Sequence, residues 1–329
     1  MAKPSPIEQL DRAVAAILAG REAELPALPA RLRELAHIAL DLRGMPRVEF
    51  KSHLAVALQR RATMSTGASP AKPVKLARGM FHTVTPYLAA VGGLEVVEFV
   101  KKAFGAEELF RAQGGAGGYH CEVKVGDSML MAGGGGTYQG PDHPAAIELI
   151  VPNADSAYES AIQAGAVSVY APVDKPYGDR EAGVKDVCGN LWYLITRRVS
   201  EHSPADTPTV TPAFAVPGAA KFIEFLKSAF GATQAFRHDD PDGTVRYAKL
   251  RVGNSFVSIG EASGESQPLH SSLYMYVDDA DAVYQRALEA GAKSLYPPAD
   301  QPYGDRVGGI TDPFGHEWYI ATNIKRVSP

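Results

Sequence analysis

Cysteine is scarce in this chain: Cys121 and Cys188 are its only two among 329 residues. Two thiols cannot build a disulfide framework or a four-thiolate zinc site, and reduced side chains in the cytoplasm are the expectation. Charge of one sign is also in short supply. Lys and Arg total 33 against 37 Asp and Glu, a net charge of -4, so the basic face that neutralises phosphates is missing and no nucleic-acid partner is expected. No run of about 18 apolar residues is present to span a membrane, and the opening Met-Ala-Lys-Pro-Ser-Pro lacks the basic-then-apolar pattern of a secretion signal. There is no Gly-x-Ser-x-Gly nucleophile elbow. The glycine-rich stretches, Gly114 to Gly118 and Gly133 to Gly136, do not open a helix after a strand as phosphate-binding loops do, and they read as hairpin loops.

What the chain does have is a second copy of itself. Asp174-Lys-Pro-Tyr-Gly-Asp-Arg180 returns as Asp300-Gln-Pro-Tyr-Gly-Asp-Arg306, 126 residues on. At the same offset Phe99-Val-Lys-Lys-Ala-Phe-Gly-Ala106 answers Phe225-Leu-Lys-Ser-Ala-Phe-Gly-Ala232, and Trp192-Tyr193 answers Trp318-Tyr319. A solenoid unit runs to about 20 to 50 residues, so this period is that of a whole domain. With 45% hydrophobic and 21% charged residues the chain can fill more than one core.

Residues 1–63 lie outside the repeat and read as three short amphipathic helices, the first opened by the capping box Ser5-Pro6-Ile7-Glu8. Their apolar stripes are expected to form a small bundle, to dock on the repeats or to meet a protein partner. Residues 64–80 and 199–208 read as linkers, leaving domains at 81–198 and 209–327. Each repeat alternates strand and helix periods twice, which gives two β-α-β-β-β units per domain. Short strands joined mostly by hairpins favour curved, mixed sheets and an α+β fold over a doubly wound parallel sheet.

The strings Val84-Thr-Pro-Tyr-Leu, Glu98-Phe-x-x-x-Ala-Phe-Gly-Ala106, His120-x-Glu-x-x-x-Gly-Asp-Ser128, Tyr303-Gly-Asp-Arg306 and Asp312-Pro-Phe-Gly-His-Glu-Trp318 carry a family likeness. They resemble the vicinal-oxygen-chelate superfamily, the glyoxalase, bleomycin-resistance and dioxygenase fold, in its PhnB-like branch. The resemblance covers both repeats. It implies that paired units curl into a cleft, where family enzymes hold a divalent metal through a His or Gln on the first strand, a His opening the fifth and a Glu late in the eighth. Read repeat by repeat, those places hold Thr85 or Pro86, Ala146 and Tyr193, and then Thr211 or Pro212, Ser272 and Tyr319. None is a good ligand for a transition metal. Glu261 stands as a lone carboxylate, and neither a metal nor another cofactor is expected.

Without a metal the cleft must work through side chains. Alternation along the third strand sets His120, Glu122 and Lys124 against Cys121, Val123 and Val125; the second repeat sets Tyr247, Lys249 and Arg251 against Ala248, Leu250 and Val252. His120, Tyr193, Tyr247 and Tyr319 are therefore the candidate ligand-binding residues, with His120 the candidate acid or base. Arg180 and Arg306 are further candidates, because a guanidinium suits an anion; their architectural reading pairs Arg180 with Asp186. The favoured function is metal-independent binding and sequestration of a small molecule. An enzyme of the same superfamily, using a displaced metal or His120, is the alternative, and a metabolite sensor with a regulatory partner on the helical head is a third.

Overall fold

A computed structural model describes residues 80–113, 117–198, 204, 206–264 and 267–324. The expected helical segment 1–63, nearly all of the 64–80 linker, most of the 199–208 linker and the first glycine loop from 114 to 116 lie outside the described residues.

Four β-α-β-β-β units follow one another. The first is β1 (Val84–Ala90), α1 (Gly93–Phe104), β2 (Glu107–Gln113), β3 (Tyr119–Val125) and β4 (Ser128–Gly134). The second is β5 (Ala146–Ile150), α2 (Ala154–Gln163), β6 (Val167–Asp174), β7 (Arg180–Lys185) and β8 (Leu191–Thr196). The third comprises β9 (Val210–Val216), α3 (Ala219–Phe230), β10 (Thr233–Asp239), β11 (Val245–Val252) and β12 (Ser255–Glu261). The fourth comprises β13 (Ser272–Tyr276), α4 (Ala280–Glu289), β14 (Lys293–Asp300), β15 (Asp305–Thr311) and β16 (Glu317–Asn323). No helix among the described residues is long and apolar enough to cross a membrane.

Local chemistry sets the helix ends. Asn153 and Asp279 cap α2 and α4 by accepting from Ser156 N and Ala282 N at 3.0 and 2.9 Å. Gly105 and Gly231 end α1 and α3 in the left-handed conformation. Helix α3 has no capping side chain of its own. Glu261 supplies one from the end of β12, accepting from Gly218 N at 2.6 Å and Ala219 N at 2.8 Å, which corrects the expectation of a lone carboxylate: its partners are backbone donors that a side-chain pattern does not reveal.

The strands form two curved, mixed, eight-stranded sheets. Sheet I runs β14-β15-β16-β13-β1-β4-β3-β2 and sheet II runs β10-β11-β12-β9-β5-β8-β7-β6. The sequence reading gives each repeat a site of its own; the sheets pair the units otherwise. Sheet I joins the first unit to the fourth through antiparallel β1 and β13, and sheet II joins the second to the third through antiparallel β5 and β9. Every sheet is thus composite, half from each repeat.

The cores, in contrast, belong to single repeats. Residues of the first and second units, among them Val97, Phe99, Val123, Ile147, Leu194 and Trp192, bury one cluster. A second cluster of Phe222, Leu226, Leu250, Ile259, Ile320 and Trp318 draws almost wholly on the third and fourth units. The indole of Trp192 donates to Asp186 Oδ2 at 3.0 Å, and that of Trp318 to Asp312 Oδ2 at 2.9 Å. Asp186 is filled by these inward donors, so it does not pair with Arg180. Arg180 instead reaches both oxygens of Asp155 on α2 and Asp174 at 3.0 Å, and Arg306 repeats this with Asp281 and Asp300. The expected ion pair is corrected: an arginine that opens a strand on the helix side faces the helix start, not the next hairpin.

Candidate functional site

Strand alternation decides what each sheet shows on the face away from its helices. Leu88, Cys121, Val123, Leu130 and Ala132 pack into the first core cluster, which turns Tyr87, His120, Glu122 and Met131 to the opposite face of sheet I. Across the seam, Leu273, Met275, Trp318 and Ile320 enter the second cluster, so Ser272, Tyr274, Glu317 and Tyr319 turn to that same free face. Register aligns them into one row: Glu122 opposite Met131, Met131 opposite Tyr87, Tyr87 opposite Ser272, and Ser272 opposite Glu317. This face is cleft I.

Cleft I is a cluster of tyrosines with acidic flanks. Tyr319 lies 5.9 Å centroid to centroid from Tyr87, 6.4 Å from Tyr274 and 6.5 Å from Tyr296, the last pair stacked. Burial pushes the phenols of Tyr87, Tyr274, Tyr296 and Tyr319 well above their ordinary range, so they serve as neutral donors and flat apolar walls. Tyr319 donates its hydroxyl hydrogen to Glu317 Oε2 at 2.8 Å, and His143 Nε2 stands 3.6 Å from the same oxygen. His120 Nε2 lies 3.6 Å from Glu122 Oε1, and its Nδ1 lies 3.4 Å from the Tyr87 hydroxyl. Glu122 is only 3% exposed, and its Oε2 has no hydrogen-bond partner among the described residues; the same holds for Ser272 Oγ.

Cleft II, on sheet II, is built differently from equivalent strands. Glu148 and Lys249 form a buried ion pair at 3.0 Å, and Tyr247 donates to Glu148 Oε1 at 3.2 Å. Burial, with the Glu148 charge beside it, holds the Tyr247 phenol well above its usual range. Tyr170 stacks on Tyr193 at 6.5 Å, with the Lys175 ammonium 4.5 Å from the Tyr170 ring centre. Glu181, raised by burial, accepts from the Tyr177 hydroxyl at 2.6 Å and lies 3.6 Å from Lys175.

The structure divides the sequence-derived candidates. His120 and Tyr319 meet in cleft I, one from each repeat, while Tyr193 and Tyr247 lie in cleft II, again one from each. Arg180 and Arg306 sit on the helix side of their sheets: the next residues, Glu181 and Val307, face the clefts. Sequence reasoning missed Tyr87, Glu148, Tyr170, Tyr274, Tyr296 and Glu317 as site residues. Alternation carried the signal for Glu148, between the apolar Ile147 and Leu149, and for Tyr274, between Leu273 and Met275. A separate surface recess of about 460 Å³ along Glu107 to Arg111 holds none of these residues, and Glu108 in its lining is paired with Lys101 and Arg111.

Residues 210–320 match the Glyoxalase/Bleomycin resistance protein/Dioxygenase superfamily. The chain belongs to that superfamily. Glyoxalase I from Zea mays aligns over 73% of this chain and 92% of its own, with a TM-score of 0.59 at 15% identity. A putative dioxygenase from Bacillus subtilis aligns over 74% and 86%, with a TM-score of 0.51 at 14% identity. These likenesses are of fold. An uncharacterised protein of Mycobacterium bovis is 34% identical over 132 residues, which are 37% of this chain and 87% of that protein.

Because the sheets are composite, the superfamily's ligand places must be read across the repeats. Thr85, Ser272 and Tyr319 share cleft I; Thr211, Ala146 and Tyr193 share cleft II. This corrects the repeat-by-repeat sets given by the sequence. The donor chemistry does not fit a divalent metal: hydroxyls and a methyl stand where imidazole and carboxylate belong. The His120–Glu122 and His143–Glu317 contacts are separate pairs, and among the described residues no three His, Cys, Asp or Glu side chains are placed to hold an ion.

Proposed function

We propose that the protein binds a small organic molecule without a metal, through the tyrosine-lined cleft I. The observation that carries this reading is Tyr319, which stands at the superfamily's glutamate place and is ringed by Tyr87, Tyr274 and Tyr296. A flat apolar body gains contact area and ring–ring attraction there, while phenolic hydroxyls, Ser272 and Glu122 supply polar anchors. Cleft II, with its charges already paired, is a weaker second site. His120 favours one other reading, acid–base chemistry, because its two nitrogens face the Tyr87 hydroxyl and the Glu122 carboxylate. Titration of the full chain with the neutral dye Nile red, read by fluorescence, tests the binding role. Saturable binding that falls at least about tenfold in Tyr319→Ala, with an unchanged melting temperature, is expected. Unsaturable binding, or binding indifferent to Tyr319→Ala, would overturn it.

A further inference from the structure

The two clefts descend from one repeated design, yet they treat their carboxylates in opposite ways. In cleft II both glutamates have a lysine: Glu148 pairs with Lys249 at 3.0 Å and Glu181 lies 3.6 Å from Lys175. In cleft I the place of Lys249 is taken by Glu122, and the place of Glu148 by Tyr274. Glu122 has only His120 within ion-pairing range among the described residues, at 3.6 Å, and Glu317 has only His143, also at 3.6 Å. Lys124, two residues along the same strand, is outside that range of Glu122. An ionised carboxylate nine-tenths buried without a partner is costly, and one oxygen of Glu122 accepts no hydrogen bond from any described residue.

We propose that the missing cation comes with the ligand: cleft I selects a protonated amine carried on a flat apolar body. The ammonium would donate to Glu122 Oε2, and Ser272 Oγ, also without a partner, lies along the same cross-strand row. The tyrosine faces add to the preference, since the negative face of an aromatic ring attracts a cation. An anionic ligand would meet Glu122 and Glu317, neither of which has a lysine or arginine within ion-pairing range among the described residues. This rests on the reading of cleft I as the binding site and adds the charge of what it binds.

A matched set of probes separates the two claims: 1-naphthylmethylammonium, 1-naphthylmethanol and 1-naphthoate share a ring system and differ in charge. Calorimetric titration of the full chain is expected to give an ammonium affinity on the order of tenfold above that of the alcohol, with the carboxylate weakest. In Glu122→Gln, checked for an unchanged melting temperature, the ammonium should fall to the level of the alcohol while the alcohol is unaffected. Equal binding of ammonium and alcohol by the unaltered chain would overturn the charge inference and leave the binding role standing. A carboxylate that binds tightest would do the same. Failure of all three probes to bind would overturn both.

Discussion

Among the differences between two motifs that share their Asp, Gly and Trp, the exchange of Asn190 for His316 bears directly on the buried carboxylate. Asp186 accepts from Trp192, from two backbone N–H groups and from the Asn190 amide, whereas Asp312 has His316 where Asn190 would stand. Burial pushes the Asp312 carboxyl up to about 6 although four donors lower it. Burial, with His270 nearby, brings His316 down to about 3. Geometry agrees: Ser271 N donates to His316 Nδ1 at 3.3 Å, so a second ring proton would oppose an existing donor. The two act in opposite directions. Asp312 contributes stability below its unfolded pKa of about 4, and this is lost as pH rises through about 6; His316 contributes above about 6.5, and this is lost as pH falls toward about 3. Urea unfolding between about pH 4.5 and pH 6 should therefore show that His316→Gln makes the chain relatively more stable on acidification and Asp312→Asn relatively less. Each slope should differ from that of the unaltered chain by up to about 1.4 kcal/mol per pH unit. Parallel slopes in all three would show that neither group is shifted.

At the scale of elements, strand periods and the repeat were legible, because both are written along the chain itself. Cys121, Val123 and Val125 alternate into the core as their pattern requires. The glycines after Met131 were misread as a loop. Gly133 and Gly134 finish β4, and the missing side chain at Gly133 makes room for Tyr87, a residue 46 positions away in the chain. A Cβ at Gly133 would lie 2.6 Å from the Tyr87 hydroxyl oxygen; one at Gly134, where φ is +130, would lie 1.6 Å from the Ala90 carbonyl. Gly133→Ala is therefore expected to displace a movable ring and weaken dye binding in cleft I with little loss of stability. Gly134→Ala presses on backbone and should cost at least about 1–3 kcal/mol in chemical denaturation. Equal effects of the two on folding and binding would contradict this division. The Tyr-Gly-Asp-Arg motifs were legible as tight connections, Gly178 having a φ of 101, but the helix partner of each arginine was not, since it lies 25 residues upstream.

For the whole molecule, the decisive fact is the one local sequence could not carry: which strands meet at the seams. Repeat boundaries suggest one site per repeat, whereas β1 pairs with β13 and β5 with β9, so each cleft takes half its wall from each copy. A repeat on its own would keep its core but leave the inner edges of β1 and β5 unpaired, an invitation to edge-to-edge association. Residues 81–198 expressed alone should therefore be a dimer by sedimentation, and mixing with residues 209–327 should yield a heterodimer; stable monomers of either would contradict the composite sheets. The same seam explains why the candidate residues sorted into His120 with Tyr319 and Tyr193 with Tyr247. It also places three non-ligating residues, Thr85, Ser272 and Tyr319, together where the superfamily's metal would sit. Elemental analysis of the full-length protein purified without chelators tests that claim most directly. The account predicts no stoichiometric zinc, nickel, iron or manganese; close to one such ion per chain, lost on Glu122→Gln or Glu317→Gln, would contradict it.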